Sequence, residues 1–270
     1  MAIDAVRLKE RIGSEVRMSA RELLQPAVAA EVRALLIQRG VLVFRQLDLA
    51  DQDQVKLASL MGSLRNEGQG NIFKITLDRD LNAQGEYLKG SWLWHMDGTH
   101  DQVPLFASLL SGRVLSKIGG QTEFANSYAA YEDLPQATKD RIADLKVVHS
   151  FRTSMERAGV TRTPQTEAHW NSIPDRTHSL VWTHKSGRKS LVIGCHASHV
   201  VGLDLAEGRK LLQDLLEWTT QPRFVYRHEW TVGDLLMWDN TGVLHRAEPY
   251  PLDSGRVMHR TTLVGEEAFA

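Results

Sequence analysis

The sequence predicts a mainly β fold with flanking α-helices, of the jelly-roll barrel type, and three observations carry that expectation. Short runs rich in β-branched and aromatic residues recur from Val41 to Val264, separated by Gly, Pro and Asn turns. Helical spacing is confined to segments near the N-terminus and to a few inserts between strands. No linker, internal repeat or low-complexity tract divides the 270 residues, and their 42% apolar content can fill a large core, so a single domain over residues 1–270 is expected. Many short strands with helices on one side suit a barrel or sandwich.

Taken in order, Leu23, Leu24, Val28, Val32, Leu35 and Leu36 recur at helical spacing and predict one helix from Ser19, its N-cap, to Gly40, its stop. Val41 to Phe44 is apolar throughout and reads as a strand covered on both faces. Asp51 to Leu60 is an amphipathic helix ended near Gly62, and Ile72 to Thr76 is a strand followed by a loop up to Gly90. Phe106 to Leu115 is the next strand; the Gly119-Gly120 turn then leads into another that ends near Asn126. Short helices follow at Ser127 to Glu132 and Gln136 to Asp144. Residues 150–175 have weak periodicity and are expected to form a long loop that serves as a lid. Val181 to His184 and Ser190 to Gly194 bracket a Lys185-Ser186-Gly187-Arg188 turn as a hairpin, and Ala206 to Trp218 repeats Leu at helical spacing. Strands at Phe224 to Glu229, Asp234 to Trp238, Gly242 to Arg246 and Val257 to Val264 complete the chain.

Composition excludes several function classes. The formal net charge is -1 and charge runs are short, so the basic field that tracks nucleic acid is missing. Charged residues interrupt Met1 to Arg17, which leaves no apolar core for a secretory signal, and no apolar run is long enough to span a bilayer. With Cys195 alone no intrachain disulfide can form, and a reducing cytoplasm is the expected compartment. The expected partners are a small molecule and, as a homo-oligomer, further copies of the chain.

The chemistry is concentrated in Trp92-Leu93-Trp94-His95-Met96-Asp97-Gly98-Thr99. In a strand, residues two apart point to the same side, so His95 and Asp97 can face one ion together. One further His completes the two-His-one-carboxylate face that holds non-haem Fe(II) with open positions, and His245 is the candidate. Eleven His residues make a chance His-x-Asp triplet easy, so the triplet needs support from elsewhere in the chain. Arg256 and Arg260, four apart in the last strand with Met258 between them, share one face; alone the pair reads as a solvated outer face, and only its combination with His245, eleven residues before Arg256, turns that face inward. Two guanidinium groups turned into a barrel interior require anions, and Arg matches a carboxylate bidentately. Other patterns fail. His228-Glu229 lacks the second His of a zincin helix, and Cys195, His196 and His199 lack a second ligand pair for a zinc cluster. Trp92, Trp94 and Trp238 read as core or cavity wall.

These segments, in this order, resemble the taurine dioxygenase and 2,4-dichlorophenoxyacetate dioxygenase family of Fe(II)/2-oxoglutarate oxygenases. Trp94-His95-Met96-Asp97, Gly119-Gly120-Gln121-Thr122-Glu123-Phe124, Gly187-Arg188-Lys189-Ser190-Leu191, Met237-Trp238-Asp239-Asn240 with His245, and Arg256-Val257-Met258-His259-Arg260 carry the likeness, which runs from about Gly40 onward. Ile193 to Gly202 and Phe224 to His228 look closest to the aryloxyalkanoate-degrading branch.

The resemblance implies a double-stranded β-helix with Fe(II) on His95, Asp97 and His245. It implies 2-oxoglutarate as cosubstrate and O2 as oxidant, with Thr122 and Arg256 on the distal carboxylate and Arg260 near the inner carboxylate and the anionic group of the substrate. Asn71, Tyr87, Ser91, His184 and His196 fall on the substrate side. The implied reaction hydroxylates a small anionic substrate, an aryloxyalkanoate-like acid that then splits into a phenol and an oxoacid. A sulfonate or alkyl sulfate dioxygenase of the same family and a non-catalytic barrel that binds a small anion are the alternatives. Ser91, Met96, His100 and Thr241 depart from family habit, and these departures bear on the substrate rather than on the metal or cosubstrate.

Overall fold

The computed structural model describes residues 3–78 and 85–269. Two short strands, β1 (Ala5–Arg7) and β2 (Ser14–Val16), precede helices α1 (Ala20–Leu23) and α2 (Pro26–Arg39), then β3 (Val41–Phe44), α3 (Asp51–Met61) and β4 (Phe73–Ile75). A 3-10 helix at Gly85–Trp92 leads to β5 (Leu105–Val114), β6 (Thr122–Asn126), α4 (Ser127–Glu132) and α5 (Gln136–Ile142). Next come β7 (Lys146–His149), α6 (Phe151–Arg157), α7 (Pro164–Ser172), β8 (Arg176–Ser179), and the hairpin β9 (Val181–Thr183) and β10 (Lys189–Leu191). The remainder is β11 (Ala197–Val200), α8 (Leu205–Thr219), β12 (Val225–His228), β13 (Leu235–Asp239), β14 (Val243–Ala247) and β15 (Val257–Val264). The fold is thus mainly β with flanking helices. Among the described residues no helix is long and apolar enough to cross a membrane.

Two sheets face each other. The larger has seven strands in the order β1-β2-β3-β13-β5-β15-β4, and opposite it stands the three-stranded sheet β12-β6-β14. Alternation along β3 shows why its sequence is apolar at every position. Val41 and Val43 turn inward onto Phe124, Tyr226 and Trp238, whereas Leu42 and Phe44 turn outward under Val32 and Leu36 of α2 and Leu57 of α3. Gln54 fixes α3 to the sheet, donating to the carbonyls of Leu109 and His259 and accepting from Ser111. The outer face of the smaller sheet, through Ala125 and Leu244, packs on the β9–β10 hairpin and on Leu211 and Leu215 of α8.

Four expectations need correction. The helix predicted from Ser19 to Gly40 is two helices: Ser19 caps α1 in a reciprocal capping box with Glu22, but Pro26 lacks the N–H that would continue it and starts α2 instead. Gly40 ends α2 at φ 75°, a conformation that favours glycine. The loop expected up to Gly90 contains the 3-10 helix, and part of it, residues 79–84, lies outside the described residues. The loop and lid expected at residues 150–175 holds α6 and α7, each started by a side-chain cap: Ser150 accepts from the Thr153 amide, and Thr163 from the Thr166 amide ahead of Pro164. Finally, Trp92 to Thr99 is not a strand. His95 alone pairs, through one bridge to His245, and Asp97 already belongs to the turn that follows.

Candidate active site

His95 and His245 meet because the chain crosses itself at that bridge: the His95 amide donates to the His245 carbonyl at 3.0 Å, and the His245 amide returns the bond at 2.9 Å. Their rings lie 4.1 Å apart between centroids. Asp97 faces both, with Oδ1 3.7 Å from His95 Nε2 and Oδ2 3.7 Å from His245 Nε2. One ligand atom from each of the three residues lies within 4.8 Å of the others. His95 Nδ1 is 2.8 Å from the Leu93 carbonyl, and a carbonyl can only accept, so Nδ1 carries a proton and Nε2 is the nitrogen turned to the cluster. Trp238 and Phe124 pack against the His245 ring, at 4.8 and 6.4 Å between centroids.

The electrostatics suit a cation at this point. Burial alone would raise the Asp97 pKa, but His245, Arg260, His95 and His196 face it and hold it at about 2, so the carboxylate is charged. Burial first, then His95 and Arg260, push His245 well below the ordinary histidine range, so it is a neutral imidazole at pH 7. Asp97 Oδ2 and His245 Nδ1 are buried without a hydrogen-bond partner. Two imidazoles and a charged carboxylate with an orphaned oxygen are the donor set of a non-haem Fe(II) site, and these residues fit that ion.

A cavity of about 70 Å³ runs from this cluster to the two arginines and is lined by His95, His245, Ser91, Thr122, Arg256 and Arg260, among others. Arg256 precedes β15, where a register shift follows it, yet both guanidinium groups line the cavity as strand parity had suggested. Arg256 is 4% exposed; it donates to the Gly120 carbonyl at 3.2 Å and lies 4.7 Å over the Tyr250 ring. Among the described residues no carboxylate pairs with it. A Cβ at Gly120, which has φ 79°, would come within 3.1 Å of Arg256 Nε, so glycine leaves the guanidinium its room. Thr122 Oγ1 accepts from Trp230 Nε1 at 2.9 Å, which keeps its own proton available to donate. Arg260 is partly neutralised: Nη2 is 3.3 Å from Glu67, Nη1 is 3.6 Å from Asp97, and Nε is buried with no partner.

The expected substrate-side residues separate. Ser91 lines the cavity, and its hydroxyl donates to the Leu88 carbonyl at 2.6 Å within the 3-10 helix. His196 is close, its ring 6.5 Å from His95 and 4.6 Å from His100. Tyr87 stands one layer back against Phe151 and His169. Asn71 occupies a turn at φ 62° ahead of β4 and does not line the cavity. His184 is placed elsewhere: its ring bonds Ser190 Oγ at 2.8 Å and packs on Trp182 and Tyr128, none of which lines the cavity. Its hairpin turns it toward the neighbouring strand rather than the metal cluster. Sequence reasoning missed Glu67, Trp230 and Tyr250, which complete the surroundings of Arg260, Thr122 and Arg256. It also missed the buried pair of His149 and His178, whose rings lie 5.4 Å apart.

Gly194 joins the two halves of this site. It has φ 125°, and a Cβ there would stand 2.9 Å from the Trp94 carbonyl oxygen and 3.1 Å from His95 Cα, both backbone atoms. Gly194→Ala is therefore expected to destabilise the fold by about 1–3 kcal/mol, read as a lower urea midpoint with an unchanged slope. An unchanged midpoint would show that the Trp94–His95 backbone yields easily.

The family model described as taurine catabolism dioxygenase TauD, TfdA family matches residues 4–262. The chain is 37% identical to the alpha-ketoglutarate-dependent 2,4-dichlorophenoxyacetate dioxygenase of Burkholderia sp. (strain RASC), over 94% of this chain and 91% of that protein. It is 32% identical to the (S)-phenoxypropionate/alpha-ketoglutarate-dioxygenase of Sphingobium herbicidovorans, over 99% and 96%. Among solved structures, that of AAD-2 in complex with Mn(II) and N-oxalylglycine matches with a TM-score of 0.87 and 34% identity over the whole of both chains.

Proposed function

Because the chain belongs to the taurine catabolism dioxygenase TauD, TfdA family, we propose that it is an Fe(II)- and 2-oxoglutarate-dependent dioxygenase acting on a small anionic aryl ether of the aryloxyalkanoate class. One observation carries the reading: the two histidines of a two-His-one-carboxylate cluster line the same cavity as a buried guanidinium that, among the described residues, has no carboxylate partner. Ferrous iron with 2-oxoglutarate and O2 supplies an oxidising centre that couples decarboxylation to succinate and CO2 with hydroxylation of a substrate C–H bond.

His95, Asp97 and His245 would hold the iron on one face, with Asp97 ionised. Arg256 and Thr122 would receive the distal carboxylate of 2-oxoglutarate, the guanidinium supplying charge and the hydroxyl a directed donor. Arg260, tethered by Glu67, would stand near the inner carboxylate and orient the anionic end of the substrate. Ser91 and His196 would border the substrate, with Tyr87 and Asn71 further out on that side. Hydroxylation beside the ether oxygen gives a hemiacetal that collapses to a phenol and an oxoacid. The fold that holds these residues is a double-stranded β-helix, a reading supported by the two facing sheets and by the family. The two similar dioxygenases named for aryloxyalkanoates support the substrate class.

The test compares phenoxyacetate with taurine under identical Fe(II), 2-oxoglutarate and O2. Phenoxyacetate should release phenol in step with succinate, and taurine should yield neither sulfite nor extra succinate. Coupled sulfite release from taurine with an inert aryl ether would move the substrate to the sulfonates and leave the iron and cosubstrate roles standing.

A further inference from the structure

We propose that the molecule carries a second binding site, for a small organic anion with an aromatic body, in the open groove between α8 and the backbone segments leading into His95 and His196. The groove measures about 600 Å³, within the range of small-molecule sites, and shares no lining residue with the cavity at the candidate metal cluster. Its charge is one-sided. Arg157, Arg209, Lys210 and Arg246 line it and, among the described residues, no acidic residue does, although acids and bases are almost equal in number in the chain as a whole.

Two of the four cations are already neutralised. Lys210 pairs with Asp214 at 2.8 Å and Arg246 with Glu123 at 2.6 Å. The other two are not. Arg157 donates to the carbonyls of Cys195 and Ala197 at 2.8 and 3.0 Å, which orients its guanidinium without cancelling its charge. Among the described residues neither Arg157 nor Arg209 meets a carboxylate. Both line the groove, and their like charges repel: burial depresses the Arg157 pKa, Cys195 raises it, and the charge of Arg209 lowers it again. An anion between them relieves that repulsion, and a planar carboxylate or sulfonate suits the geometry of arginine. The floor supplies the other half of the recognition: Leu93, Trp94, Leu212 and Leu216 present apolar surface, and Arg246 lies 4.8 Å over the Trp94 ring. Occupancy has a route to the catalytic cluster, since Trp94 and Cys195 line the groove, are joined by a 2.8 Å backbone bond, and directly precede His95 and His196.

The test uses 8-anilinonaphthalene-1-sulfonate as a fluorescent aryl sulfonate on the full chain, with Mn(II) and N-oxalylglycine present in excess. Saturable binding of one probe per chain is expected, weakened ten-fold or more by Arg209→Glu and largely kept by Arg209→Lys. Arg209 is exposed and makes no described hydrogen bond, so both variants should fold as wild type, checked by their urea midpoints. Absence of saturable binding would overturn the proposal, as would equal affinity in Arg209→Glu. Omitting N-oxalylglycine and adding 2-oxoglutarate reports on location: displacement of the probe would put it in the catalytic cavity and also overturn the proposal. Because binding is read by fluorescence, a failed metal assignment leaves this outcome unaffected.

Discussion

Asp97→Ala is expected to abolish succinate formation and to remove the visible absorption band that wild type should develop when Fe(II) and 2-oxoglutarate are added without O2. Asp97 is the carboxylate of the cluster, and among the described residues no other acid joins the two imidazoles. Its removal leaves the ion two neutral ligands, so net charge at the site becomes unfavourable as well as the ligand count. The change also releases Arg260, which then has Glu67 as its remaining acidic contact. Turnover should fall by several orders of magnitude, and anaerobic titration should give no band at iron concentrations that saturate wild type. A variant that kept both would show that the ion, if bound, lies elsewhere. Wild type that takes up neither Fe(II) nor 2-oxoglutarate would favour a non-catalytic anion-binding barrel.

The outcome at residues 92–99 shows how much of this cluster was legible. Side-chain parity in a strand was the warrant for bringing His95 and Asp97 together, yet a single bridged residue and a turn achieve it. Convergence came out as expected, for a partly different reason. What makes it work is the reciprocal backbone pair between His95 and His245, a contact 150 positions apart that no local pattern reveals. For Arg256 and Arg260 the parity reasoning carried over, because a large part of β15 is regular and both groups still line the cavity despite the shift after Arg256.

The central strands were readable because their alternation is imposed by two buried faces, as β3 shows with Val41 and Val43 against one layer and Leu42 and Phe44 against the other. Strands β1, β2, β7, β8 and β11 were missed because each has three or four residues of mixed polarity, too few to establish a period. Helices α6 and α7 were missed for a related reason: their polar composition hides the apolar stripe of Met155 and Trp170. The caps at Ser150 and at Thr163-Pro164 were the available signal. His184 illustrates the limit of carrying a residue over by resemblance. Hydrogen bonding to Ser190 across the hairpin decides where its ring points, and that choice is made by the partner strand. Glu67, Trp230 and Tyr250 could not be found at all from sequence, since each acts on an arginine or threonine that only the closed sheets bring near.

Arg256→Ala separates the cosubstrate end of the cavity from the metal end. The guanidinium is buried, donates to the Gly120 carbonyl, packs on Tyr250 and has no carboxylate partner among the described residues, so a bound dicarboxylate would be its counter-ion. Removing one member of a buried, hydrogen-bonded charge pair costs about 2–5 kcal/mol, which corresponds to roughly a thirty- to several-thousand-fold rise in KM for 2-oxoglutarate. Iron binding should persist, because Arg256 does not contact His95, Asp97 or His245. The variant should therefore retain Fe(II) at wild-type stoichiometry while the anaerobic band appears only at much higher 2-oxoglutarate. Arg256→Lys keeps the charge but loses the planar fork, and an intermediate KM is expected. Thr122→Val tests the hydroxyl separately, with a smaller rise, since it removes one neutral donor and leaves the Trp230 indole without its acceptor. If KM for 2-oxoglutarate in Arg256→Ala stayed within a few-fold of wild type, the dicarboxylate would have to be held by Arg260 instead, and the substrate's anionic group would lose the arginine assigned to it.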